Sequence, residues 1–181
     1  MKTVANAAKE VPKKIAKELF DGYAQDTELL PNYATLLAVY GGVISSLLLF
    51  LKKENRLPER FALRDLLLLA LATHKLSRVI ALDKIAMPLR APFTKFEKAT
   101  GAAEVDEEPR GRGMRRAIGS LISCPYCIEV WISTGLSFGL AAVPRVTRFV
   151  ASIFGVVAVS DFLHRCYVVA KEMEPPKKTQ Q

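Results

Sequence analysis

The chain has 181 residues, half of them hydrophobic, with a formal charge of +8 and a mean hydropathy of +0.17. Long apolar runs alternate with short basic ones, which argues against a water-soluble core and for a multi-pass membrane protein. The basic residues flank the apolar runs, and no zinc finger, RNP-like motif or basic region with heptads is present. The charge therefore points to an anionic membrane surface and not to nucleic acid.

The first element is expected within residues 1–32. In VANAAKEVPKKIAKELF, Val4, Ala8, Val11, Ile15 and Leu19 fall near one helical face, while Lys9, Lys13 and Lys17 fall away from it. This predicts a cytoplasmic amphipathic helix that lies among headgroups. The segment is too charged for a secretory leader.

Four membrane spans follow within 33–169. The first, about Tyr33 to Leu51, carries no charge and has a stripe of Ala38, Gly42 and Ser46. Small residues at that spacing let another helix approach. The second, about Phe61 to Leu82, starts with Arg64 and Asp65 and ends with His74, Lys75 and Arg78. Its uncharged centre is short, so a tilted or re-entrant helix is an alternative. The third, about Tyr126 to Val143, holds Gly135 and Gly139. The fourth, about Val146 to Val169, holds Ala151 and Gly155 and then Asp161, His164 and Arg165. The expected fold is thus all-α and polytopic, with about four transmembrane helices and the amphipathic N-terminal helix.

Four spans put both termini and the 83–124 loop on one side. Lys and Arg concentrate there, so the positive-inside rule places that side in the cytoplasm of a cell membrane. Within the loop, DKIAMPLRAPFTKFEKATG is expected to hug the interface irregularly, AAEVDEEPRGRG to be a mobile hinge, and MRRAIGSLIS to be a short amphipathic helix. Residues 170–181 form a polar tail.

This arrangement brings the unusual side chains to one depth. His74, Lys75 and Arg78 share it with Cys124, Cys127, Glu129, Asp161, His164, Arg165 and Cys166. Ionisable groups in spans are costly and usually pair inside the bundle. Arg78 is expected to meet Asp161 or Glu129. Lys75 and Arg165 are expected to snorkel to the headgroups, and Trp131 to anchor at the interface.

The stretch SCPYCIEVW carries a CxxC at the start of the third span. Pro125 suits the first helical position and Cys124 the N-cap. Three readings stay open for Cys124 and Cys127. They are small residues in a helix neck, half of a zinc site completed by His74, His164 or Cys166, or a redox pair, since helix N-termini favour thiolates. The thioredoxin-like βαβ context of a redox motif is missing, and a lone CxxC is a weak zinc signal.

The blocks ATHKLSRVIALDK, PLRAPFTKFE, RRAIGSLISCPYCIEVW and SDFLHR resemble a bacterial family of small integral-membrane proteins of unknown function, some described as sporulation-associated. The resemblance spans about Leu63 to Arg165. His74, Arg78, Arg90, Cys124, Cys127 and Trp131 match its pattern. Glu129 stands where the family has a small residue, so no role passes to it. The resemblance implies a fold and a membrane location but no activity.

The expected function is a non-enzymatic membrane component that engages a partner protein or an anionic lipid at the cytoplasmic face. A thiol-redox or zinc-binding protein and a small transporter built as a homo-oligomer are the alternatives. No Ser-His-Asp order, P-loop or HExxH supports common hydrolase or nucleotide chemistry. No cofactor is expected beyond a possible zinc.

Overall fold

The structure, a computed structural model, describes residues 30–101 and 103–173. The expected N-terminal amphipathic helix lies outside the described residues, as does most of the 170–181 tail. The elements in chain order are α1 (Leu30–Lys53), α2 (Leu63–Ala81), a 3₁₀ turn (Lys84–Ala86), α3 (Met87–Arg90), β1 (Thr94–Ala99), β2 (Val105–Pro109), α4 (Gly113–Ile122), α5 (Pro125–Ala142) and α6 (Pro144–Glu172).

Most of the described chain is helical, and the all-α expectation is corrected by one antiparallel β-hairpin in the 83–124 loop. Its strands pair Lys95 with Glu108 and Lys98 with Asp106, so opposite charges face each other across the ladder. The segment expected to be a mobile hinge contains β2 and a tight turn into α4. Gly111 (φ +83°) and Gly113 (φ +59°) hold left-handed backbone there, which is open to glycine at little cost.

Among the described residues, α1 and α6 are each long and apolar enough to cross a membrane. The pair α4 and α5, bent by 80° at residues 123–124, makes a third candidate if it counts as one span. Only 6% of the apolar window of α1 and 17% of that of α6 are buried within the protein. Water would penalise so much exposed apolar surface, whereas acyl chains would not. Two or three candidate spans therefore suggest a membrane location. The expected second span, α2, is not among them, because Arg64, Asp65, Lys75 and Arg78 interrupt it. Its centre is sheltered by neighbouring helices, with Asp65, Leu69, Ala72, Thr73, Ser77 and Ala81 buried along one stripe.

The helices alternate in direction. Asp65 near the start of α2 pairs with Arg148 near the start of α6, and Lys75 further along α2 pairs with Asp161 further along α6. These two helices are therefore parallel. Likewise, Tyr40 meets Trp131 and Thr134, while Leu48 and Leu51 share a pocket with Phe138 and Ala141, so α1 runs with α5. A core of Leu69, Ala72, Leu140 and Ala151 joins α2, α5 and α6.

The small-residue motifs divide. A Cβ on Gly155 would come within 3.3 Å of Leu68 Cδ1, and one on Gly139 within 2.8 Å of Thr147 Oγ1, so both glycines permit close packing. Nothing lies within 4 Å of such a Cβ on Gly42 or Gly135. In place of the Ala38 stripe, α1 turns Leu36, Tyr40, Ile44, Leu47 and Leu51 inward.

Candidate functional site

The hairpin, the end of α2, the start of α5 and the later part of α6 gather at one end of the bundle. Two arginines fasten the hairpin there. Arg90, at the end of α3, is fully buried. Its Nε donates to Glu107 Oε2 (2.9 Å) and its Nη2 to Glu107 Oε1 (3.1 Å), a bidentate pair. Its Nη1 donates to the carbonyls of Ile80 (2.7 Å) and Asp83 (3.1 Å) at the end of α2. Thr94 Oγ1 lies 2.6 Å from Glu107 Oε2 and donates to it. Burial alone would raise the Glu107 carboxyl, but the hydrogen bonds from Arg90 and Thr94 outweigh it and hold the group below the ordinary carboxylate range. The second fastener is Arg78, whose Nη2 pairs with Glu104. The expected contact of Arg78 with Asp161 or Glu129 is thus corrected: a loop acid takes the guanidinium.

Behind this hairpin lies a cavity of about 690 Å³ between α2 and α6. His74, Arg78, Asp161 and His164, the expected polar layer, line it together with Lys75, Asp83, Glu104 and Arg165. Lys75 does not snorkel. Its Nζ reaches Asp161 Oδ2 at 2.9 Å and Asp83 Oδ2 at 3.6 Å, joining α2 to α6 and to the loop. Arg165 has no ion-pair partner among the described residues.

Cys124 and Cys127 lie elsewhere. They line a groove of about 530 Å³ walled by α1, α4 and α5, with Tyr33, Leu37, Tyr40 and Trp131 around them. Cys124 caps α5: its Sγ accepts the Cys127 backbone N–H at 3.3 Å, and Pro125 opens the helix. Cys127 Sγ lies 2.7 Å from Cys124 Sγ and donates to it. Trp131 packs tilted against Tyr40 at 4.9 Å between ring centroids, an interhelical contact in place of the expected interface anchor alone. The histidines line the other cavity, and no group of three or more His, Cys, Asp or Glu placed to hold a metal occurs among the described residues. The structure therefore does not assemble the zinc ligand set considered from sequence. Cys166 is exposed and lines neither pocket.

Sequence reasoning missed Glu104 and Glu107 because charge and glycine were read as a hinge. The available signal was complementary: lysines in TKFEKA face acids in VDEEP across a short Gly-containing loop, the pattern of a hairpin.

Comparison with known proteins places these features in context. The family model of DUF1360, described as a protein of unknown function, matches residues 68–167, which include the polar lining of the α2–α6 cavity, the hairpin and Cys124 and Cys127, but not the α1 wall of the cysteine groove. Sporulation protein YjcA of Bacillus subtilis (strain 168) is 32% identical over 101 residues, covering 54% of this chain and 86% of YjcA. UPF0713 protein YngL of the same organism is 27% identical over 105 residues, covering 56% of this chain and 78% of YngL. No solved structure matches the chain significantly.

Proposed function

Because the chain belongs to DUF1360, a family with no assigned activity, we propose a role from its own geometry: it is a membrane protein whose polar cavity binds, without chemistry at that site, an anionic lipid headgroup at the cytoplasmic face. In this reading α1, α2, α5 and α6 all cross the bilayer, α2 doing so while shielded by α5 and α6. The termini and the hairpin are cytoplasmic, by the bias of Lys and Arg toward that side.

The observation that carries this proposal is the 690 Å³ cavity. Lys75, Arg78 and Arg165 equal Asp83, Glu104 and Asp161 in number there, but both aspartates are taken by Lys75 and Glu104 by Arg78, so Arg165 has no ion-pair partner among the described residues. An arginine with no such partner, in a polar pocket between membrane helices on the cytoplasmic side, suits a phosphate headgroup. Ionisable groups at such depth mark a functional site by default.

The test is native mass spectrometry of the protein released from nanodiscs of mixed phosphatidylglycerol and phosphatidylcholine. Preferential retention of phosphatidylglycerol, reduced about fivefold by Arg165→Ala, supports the reading; a loss of that size is the ~1 kcal/mol of one exposed charge contact. Equal retention of the two lipids, or no effect of Arg165→Ala, defeats it. Excess inorganic phosphate that displaces the lipid would assign the site to phosphate as such. The orientation is checked by reporters fused at either terminus, and an external C-terminus overturns it.

The printed name of YjcA ties that relative to sporulation. We extend the setting to this chain, with a fall in heat-resistant spores on deletion in a spore-forming host as the expected result. An unchanged spore count removes that extension and leaves the lipid reading untouched.

A further inference from the structure

The cysteine pair and its groove stand apart from the polar cavity and carry an inference independent of the lipid reading. Two sulfurs 2.7 Å apart need little movement to close into a disulfide, whose bond is about 2.05 Å. Cys124 Sγ receives both the N–H and the S–H of Cys127, so the cap of α5 itself holds the two sulfurs together. Both cysteines open into the same groove, whose volume of about 530 Å³ lies in the range of small-molecule sites.

The groove also says what could enter it. One wall is α1, whose apolar window is 6% buried, so an occupant arriving along that wall travels through acyl chains. The lining is mainly aliphatic and aromatic, with Tyr33, Tyr40 and Trp131 as ring surfaces. Tyr40 is held in place by its hydroxyl at 2.8 Å from Thr134 Oγ1 and by its ring contact with Trp131. A dithiol that closes must pass on two electrons and two protons. A flat, lipid-soluble two-electron acceptor meets every one of these conditions.

We propose that Cys124 and Cys127 form a dithiol site that reduces a membrane-dissolved quinone bound in this groove. Two S–H bonds break and one S–S bond forms between Cys124 and Cys127. The quinone takes the two electrons and both protons on its carbonyl oxygens and leaves as quinol. Reduction of the disulfide by a dithiol reductant completes the cycle, with two electrons and two protons returning to the sulfurs.

The experiment uses the full chain in nanodiscs, reduced, freed of reductant and kept anaerobic. The quinone is decylubiquinone, whose ring carries no free C–H position for thiol addition. Quinol is followed by absorbance and thiols by alkylation mass shift. One quinol per chain is expected, with two of the three cysteines lost to alkylation and Cys166 retained. Cys127→Ser should give no quinol. Leu37→Trp narrows the groove from an exposed position. It should slow quinone-driven closure at least tenfold while leaving closure by the water-soluble oxidant diamide unchanged.

Thiols that close with diamide but not with the quinone overturn the proposal, as do thiols inert to both. Quinol formation that Leu37→Trp leaves at the wild-type rate also overturns it, because the groove would then not be where the quinone reacts.

Discussion

Replacing Arg90 with Met removes the guanidinium that ties the hairpin to the end of α2. Arg90 is 0% exposed and the Glu107 side chain 5%, so solvent would replace little of what is lost. The Glu107 carboxylate would keep only the Thr94 hydroxyl, and the carbonyls of Ile80 and Asp83 would lose a donor. Breaking one partner of such a pair costs about 3–5 kcal/mol. At about 1.4 kcal/mol per factor of ten, hairpin amides should exchange with deuterium roughly two to three and a half orders of magnitude faster. The amide to follow is that of Val105, which bonds the Leu82 carbonyl at 2.9 Å. Mass-spectrometric exchange on the detergent-solubilised protein reads it directly. The double variant Arg90→Met/Glu107→Leu should recover part of the loss, because no unpaired charge remains buried. Exchange in Arg90→Met within about threefold of the wild type would refute the reasoning, since a difference that small is below the energy of a single hydrogen bond.

Gly119→Ala should lower thermal stability, because its Cβ would come within 2.5 Å of the Phe93 carbonyl oxygen and 3.2 Å of Pro109 Cβ. Overpacking of this kind costs about 1–3 kcal/mol, and Gly135→Ala, with nothing within 4 Å, is the matched control that should show no loss in a melting curve. Acid should loosen the hairpin. Glu107 lies below its ordinary value of 4.5 in the folded protein, so its contribution is fully present above about 4.5 and is lost as pH falls through the lower folded value. Exposed Glu97, raised by its hydrogen bond with Glu108, moves the other way and gains on protonation. Hydrogen exchange of β2 between pH 6 and pH 3 should show it, and Glu107→Gln should flatten the profile.

The helices were legible because their signal is local. Apolar runs near the length of a bilayer core, ended by Pro125, Pro144 and basic residues, define α1, α5 and α6 without knowledge of neighbours. The same logic placed His74, Arg78, Asp161 and His164 near one end of the bundle. Which acid meets which base was not legible. Arg78 and Glu104 are 26 residues apart, and Arg148 and Asp65 are 83 apart; only the crossing of helices and the fold-back of the hairpin decide those partners. The hairpin itself was hidden because its strands bury one residue each, Thr94 and Val105. With so little burial, the alternation that normally reveals a strand is nearly absent, and charge pairing across the ladder does the work. The cysteines were placed correctly at the cap of α5, but the face of the helix they occupy depends on how α5 is rotated against α1, which Tyr40 and Trp131 settle.

The two ion pairs between α2 and α6 act together as a vernier. Asp65 and Lys75 are separated by about 15 Å of helix rise on α2, and Arg148 and Asp161 by about 20 Å on α6. Unequal spacings on two rods coincide in a single alignment, so a slip by one turn, about 5.4 Å, breaks both pairs at once. A piston-like stroke between these helices is therefore the costly motion, and the frame around the cavity keeps its width. The hairpin is a separate wall, held by Arg78–Glu104 and Arg90–Glu107. Lifting it would open the cavity from the hairpin side while leaving both α2–α6 pairs in place.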